Sequence, residues 1–174
     1  MRNRRPFNLS ALGLGLVLVC VVHANAQGFL HTRAFVQETF GAWQLYCRTF
    51  TRSQGRRCAL VQSVTAEGQQ DLDLTLMIYR ELEGDNTLLR AVVPLGVLLP
   101  RGLSLRIDNE NSGATPFVRC TLHGCVAEAV LKTEEIAHLK RAETAVFIIY
   151  ATVETGIGIP ISLEGFTDGY AYIK

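Results

Sequence analysis

PLGVLLPRGLSLRIDNENSGATPFVRCTLHGCVAEAVL, residues Pro94–Leu131, is the stretch that decides the fold. In it Leu103, Leu105 and Ile107 alternate with Ser104, Arg106 and Asp108, the period of two expected of a strand with one buried face. Asp108-Asn109-Glu110-Asn111-Ser112-Gly113 gathers residues that bond their own backbone or tolerate positive φ, which predicts a turn. A second strand is predicted over Phe117–Thr121. Cys120 and Cys125 flank Thr-Leu-His-Gly, a hairpin-length loop, so antiparallel pairing sets them opposite each other. Their separation would then be about 4.5–5.5 Å, which a disulfide accepts. The same register sets Val118 against Ala127 and puts Cys125, Ala127, Ala129 and Leu131 on one face.

Upstream, a second cysteine pair has the same form. Cys47 ends a strand-like run from Trp43, and Cys58 begins one that reaches Val64. Four cysteines permit three pairings, and hairpin geometry favours the two local ones, Cys47–Cys58 and Cys120–Cys125. Pairing Cys47 with Cys58 sets Leu45 beside Leu60 and Trp43 beside Gln62. A core tryptophan whose glutamine neighbour satisfies a backbone group is preferred there to a ligand platform.

Between these cysteines run ten residues that include Arg48, Arg52, Arg56 and Arg57. Four guanidiniums in one loop suit an anionic surface such as lipopolysaccharide, a glycan or nucleic acid, although a solvated loop on a slightly acidic protein is the preferred reading of the same residues. Phe50 is the sole aromatic among them, so no nucleic-acid partner is expected.

The N-terminus reads as a leader. Arg2, Arg4 and Arg5 precede an apolar run over Ala11–Val22, and Ala24-Asn25-Ala26 places small residues where a signal peptidase cuts. The expected division is residues 1–26 as a cleaved signal and residues 27–174 as one domain. The run falls short of the ~20 residues that span a bilayer, so no transmembrane span is expected after cleavage. Val19 before Cys20 does not suit a lipoprotein. The leader carries three of the 17 basic residues and none of the 16 acidic ones, so 14 against 16 leaves the rest at −2. Four cysteines in an oxidising compartment fit two disulfides. The expected location is the periplasm, with outer-membrane association or secretion as further destinations.

The remaining elements complete a β-rich domain. Leu72, Leu74, Leu76 and Ile78 alternate with Asp71, Asp73, Thr75 and Met77, and Leu88–Val93 follows a Glu83-Gly84-Asp85-Asn86 turn. One short helix is predicted from Thr133 as cap, with Glu134 and Glu135 in its first turn and Lys140 and Arg141 in its last. The apolar run Ala145–Thr152 predicts a buried central strand. Gly156-Ile157-Gly158-Ile159-Pro160 predicts a turn, and Ile161–Gly165 a last strand. About nine strands and one helix make an all-β, mainly antiparallel fold with two local disulfides, either a two-sheet sandwich or a flattened barrel.

Phe40-Gly41-Ala42-Trp43 leading to Cys47, Cys58 with Gln62, Pro94-Leu95-Gly96-Val97 with Leu99-Pro100 and Gly102, Pro116-Phe117 before Cys120, Gly124-Cys125, and Ile159-Pro160-Ile161-Ser162-Leu163 with Gly165-Phe166 are similar to the invasion-associated locus B family. The resemblance covers roughly residues 40–166. It implies an exported, cysteine-paired, mostly β protein of Gram-negative bacteria whose founding members are linked to entry into host cells. It implies no catalytic residue.

Possible chemistries fare poorly. Cys120, His123 and Cys125 would give three ligands of a zinc site, but a fourth is unassigned and the compartment oxidises thiols. Asp108, Glu110, Ser112 and Gly113 echo a calcium loop that would require Glu where Arg119 stands. Cys-x4-Cys is not the redox spacing Cys-x-x-Cys. His31, His123 and His138 lack an identified serine or carboxylate partner. The preferred expectation is a non-enzymatic envelope or secreted interaction module without cofactor, binding an envelope or host-surface partner through Arg48, Arg52, Arg56 and Arg57. The alternative is a periplasmic metal-binding or hydrolytic protein centred near Cys120, His123 and Cys125.

Overall fold

The computed structural model describes residues 35–50, 55–66, 68, 72–81 and 84–173, all within the compact unit Thr32–Lys174. The leader, the expected boundary at residue 27 and Arg52 lie outside the described residues. Eleven strands are present among the described residues: β1 (Phe35–Phe40), β2 (Trp43–Phe50), β3 (Gly55–Thr65), β4 (Asp73–Arg80), β5 (Thr87–Val93), β6 (Leu103–Ile107), β7 (Glu110–Thr115), β8 (Phe117–Thr121), β9 (Gly124–Leu131), β10 (Thr144–Tyr150) and β11 (Gly156–Ser162). Helices α1 (Thr133–Arg141) and α2 (Phe166–Tyr170) interrupt and end the series. The strands form two antiparallel sheets, a seven-stranded one ordered β1-β2-β3-β4-β5-β9-β8 and a four-stranded one ordered β11-β10-β6-β7.

The period of two does the sorting. Leu74, Leu76 and Ile78 of β4 and Leu89, Ala91 and Val93 of β5 are buried, and Ala145, Phe147 and Ile149 of β10 are buried from the other sheet. A domain with one such interface gains most of its stability from that apolar contact. The expected two-sheet architecture is therefore present, with both disulfides in place: Cys47–Cys58 at a Cα separation of 4.0 Å and Cys120–Cys125 at 3.9 Å.

The two sheets are also joined by polar groups inside the core. Trp43, at 0% exposure, donates its indole N–H to the Ser162 carbonyl at 3.1 Å, and Gln62 Nε2 donates to the same oxygen at 2.9 Å. Gln62 Nε2 also reaches the Ala42 carbonyl at 3.3 Å. The tryptophan–glutamine pair thus serves backbone groups and is not a platform. Behind it, the Phe166 ring lies 5.3 Å from that of Trp43, and Thr87 and Tyr170 share a buried hydroxyl hydrogen bond of 2.9 Å.

Several expectations need correction. The turn after β6 is confined to Asp108 and Asn109, both at positive φ (48° and 67°), and Glu110–Thr115 is a strand. Asn111 and Gly113 serve a bulge there, where Asn111 Oδ1 accepts the Gly113 N–H at 3.1 Å. Val118 does not face Ala127, because a bulge between Phe117 and Arg119 sets Phe117 in that place. The Gly156–Pro160 segment is strand, not turn. Pro160 is tolerated because β11 is an edge strand that need not donate on its open side. The run in β10 is central in its sheet but half-buried, with Val146, Ile148 and Tyr150 on the outer face. Lys132, not Thr133, caps α1, since the Lys132 N–H donates to Glu135 Oε2 at 2.7 Å.

Gly165 is required by close approach. It holds φ of +79°, and a Cβ there would lie 2.2 Å from the Phe40 carbonyl oxygen. Gly55 has φ of +65° with nothing within 4 Å of such a Cβ. In denaturant melts, Gly55→Ala is expected to cost about 1 kcal/mol, the left-handed strain alone. Gly165→Ala is expected to cost at least about 3 kcal/mol, because backbone must also move.

Candidate functional site

The end of the β2–β3 hairpin is built by the register that its disulfide pins. Cys47 faces Cys58, and beyond them Arg48 faces Arg57, Thr49 faces Arg56 and Phe50 faces Gly55. Successive side chains of a strand point to opposite faces. Cys47 is a core residue, so Arg56 shares the core-side face while Arg48 and Arg57 project from the outer one. The four arginines expected to act together are therefore divided, and Arg52 lies outside the described residues.

On the core side, Arg56 Nη2 donates to Cys47 Sγ at 3.4 Å. Arg56, Cys58, Ala171 and Tyr172 line an open cleft of about 480 Å³. Tyr172 is held there by its ring contact with Phe40, centroids 5.1 Å apart. The residues after α2 were invisible as part of this cleft, because their partner in it is more than a hundred positions earlier in the chain.

On the outer side two arginines, Arg48 and Arg57, occupy opposite positions of one rung. Like charges so opposed destabilise a hairpin, and residues 43–65 contain no carboxylate to relieve them. The ion pairs among the described residues are Arg80–Asp85 and Arg90–Glu128, the latter at 2.5 Å. Glu81, which precedes the β4–β5 turn, accepts from Asn86 Nδ2 at 3.1 Å. Arg57 Nε is shielded from solvent without a hydrogen-bond partner among the described residues, a state that costs about 1–3 kcal/mol unless something offsets it. Further along the same face, burial raises the Tyr79 phenol above its ordinary range against the opposing pull of Arg90, whose guanidinium lies 5.3 Å from the ring centroid.

The second candidate centre has different geometry from the metal site weighed against it. Cys120 and Cys125 are bonded to each other, so neither sulfur is a thiolate ligand. His123 sits exposed at the two-residue tip, its backbone N–H donating to Thr121 Oγ1 at 3.2 Å. Among the described residues, no group of three or more His, Cys, Asp or Glu is placed to hold a metal ion. Among them, too, no helix is long and apolar enough to cross a membrane.

Comparisons with known proteins agree with this architecture. The family model described as Invasion associated locus B (IalB) protein matches residues 43–174. Invasion protein B homologs of Brucella abortus strain 2308 and of Brucella abortus biovar 1 strain 9-941 are each 26% identical over 167 residues, spanning 95% of this chain and 93% of theirs. The crystal structure of invasion associated protein B from Bartonella henselae superposes with a TM-score of 0.65 at 16% identity, covering 78% of this chain and 92% of that one. At that identity the likeness is one of fold.

Replacing each cystine by two alanines separates their contributions. Loss of Cys47–Cys58 is expected to lower unfolding free energy by about 3 kcal/mol and loss of Cys120–Cys125 by about 2 kcal/mol, following loop length. Urea titrations of the two variants provide the check.

Proposed function

Since the chain belongs to the Invasion associated locus B family, we propose that it is an exported, non-enzymatic interaction module that binds an anionic partner on an envelope or host-cell surface. Two relatives that align along nearly the whole chain carry the name invasion protein B homolog, which supports a virulence-related role. The apolar run and small-residue site at the N-terminus support export to the periplasm, with further release or outer-membrane association as its extension.

The observation that carries the binding surface is the opposed pair Arg48 and Arg57 in a hairpin without carboxylates. A protein that keeps two guanidiniums across one rung accepts a repulsion that an anion would remove. The cystine one rung away holds the strands in that register whether or not the partner is bound. Arg56 belongs to the other face and is left out of the contact; Arg52 remains a candidate from the sequence. The metal reading loses two of its three ligands, since Cys120 and Cys125 are tied in a disulfide.

The double variant Arg48→Glu/Arg57→Glu is expected to melt within a few degrees of the wild type. It should bind isolated envelopes or host-cell surfaces about tenfold more weakly, and the wild type's binding should fall as salt is raised. Binding that is unchanged by both charge reversal and salt would remove this hairpin end from the function.

A further inference from the structure

Tyr46 lies two residues before Arg48 in β2 and therefore on the same outer face, directly across from Ala59 of β3. The adjacent rung on that face is Arg48 opposite Arg57. Two neighbouring rungs thus present an aromatic ring beside a methyl group, then two guanidiniums. The Tyr46 hydroxyl donates to Gln44 Oε1 at 2.8 Å, which anchors the phenol toward the rung away from the arginines. Ala59 is short, so β3 sets no bulky side chain against Tyr46, and the next strand brings Tyr79 across from Ala59 on the same face. Residues two apart on a strand are separated by about 7 Å, enough to set a six-membered ring on one rung and its anionic substituent on the next.

We propose that Tyr46, Ala59, Arg48 and Arg57 form a subsite for a phosphorylated or sulfated sugar, the ring lying against Tyr46 over Ala59 and the anionic group between the two guanidiniums. This rests on the hairpin-end reading given above and narrows its anionic partner to one chemical class. Guanidinium forks match tetrahedral oxyanions by paired, charge-assisted N–H···O bonds, and two such forks across a rung can share one phosphate. An aromatic side chain with its polar tip already bonded offers an apolar body to a sugar's C–H face. The shielded Nε of Arg57 indicates that its guanidinium is held against the sheet and does not swing freely in solvent. Less ordering then remains for the ligand to impose. Arg56 and Tyr172, which also pair a guanidinium with a ring in one cleft, face the core side and are not part of this subsite.

The isotopically labelled full chain, titrated with glucose 1-phosphate, inorganic phosphate and glucose in parallel and followed by amide NMR, tests the assignment. Glucose 1-phosphate is expected to shift the signals of Tyr46, Arg48, Arg57 and Ala59 and to bind about fivefold more tightly than inorganic phosphate, with glucose weakest. Tyr46→Ala is expected to erase that fivefold preference while leaving inorganic phosphate binding unchanged, and Arg48→Gln to weaken both anions. Equal affinities with Tyr46→Ala silent would overturn the sugar subsite and leave a plain anion site. Shifts centred on Arg56 and Tyr172 would overturn it in favour of the opposite face. Failure of both anions to bind, with envelope binding untouched by Arg48→Glu/Arg57→Glu, would bring down the hairpin-end reading itself.

Discussion

One backbone oxygen, the carbonyl of Ser162, takes hydrogen bonds from both the Trp43 indole and the Gln62 amide in the core between the sheets. A buried carbonyl left alone would cost free energy, and so would either buried donor. The arrangement therefore makes the packing of one sheet on the other specific, where apolar contact alone would tolerate sliding. Phe40, Gly165 and Phe166 close around it: the Gly165 backbone abuts the Phe40 carbonyl, and Phe166 lies against the indole. Many of the residues that carry the family resemblance fall on this clasp, which explains why they announce a fold more clearly than a chemistry.

The disulfides act at a different level. Each joins neighbours across a rung and sets the register of one hairpin. In β2–β3 that register decides which arginines share a face, because a slip by one residue would exchange outer for inner positions along the whole strand. Covalent chemistry in the core thereby positions charge on the surface, a link between stability and recognition that requires no catalytic group.

Much of this was legible in local pattern. The alternation in β4 and β6, the existence of β5 and the two hairpin cystines were readable because they depend on spacing and turn signals alone, as was the pairing of Leu45 with Leu60. The division of the arginines was also implicit in that register, since pairing Cys47 with Cys58 already sets Arg48 against Arg57. It was obscured by treating residues 48–57 as a loop, whereas β2 and β3 extend to Phe50 and Gly55. The strand β7 was missed because Asp, Asn and Gly support turns and bulges alike. β11 was misread because glycine and proline break central strands but are tolerated at an edge.

Taken alone, the amino-acid order determined a β-rich domain with two local cystines and an arginine-bearing hairpin, since each follows from interactions between residues close in the chain. Only the tertiary structure decided what meets Ser162, which sheet edge β11 occupies, and that Tyr172 comes beside Arg56. The first and last of these join positions a hundred or more residues apart. Nothing in local propensity specifies them; they arise when two apolar sheet faces must cover each other and the polar donors and backbone oxygens trapped between them pair where they can.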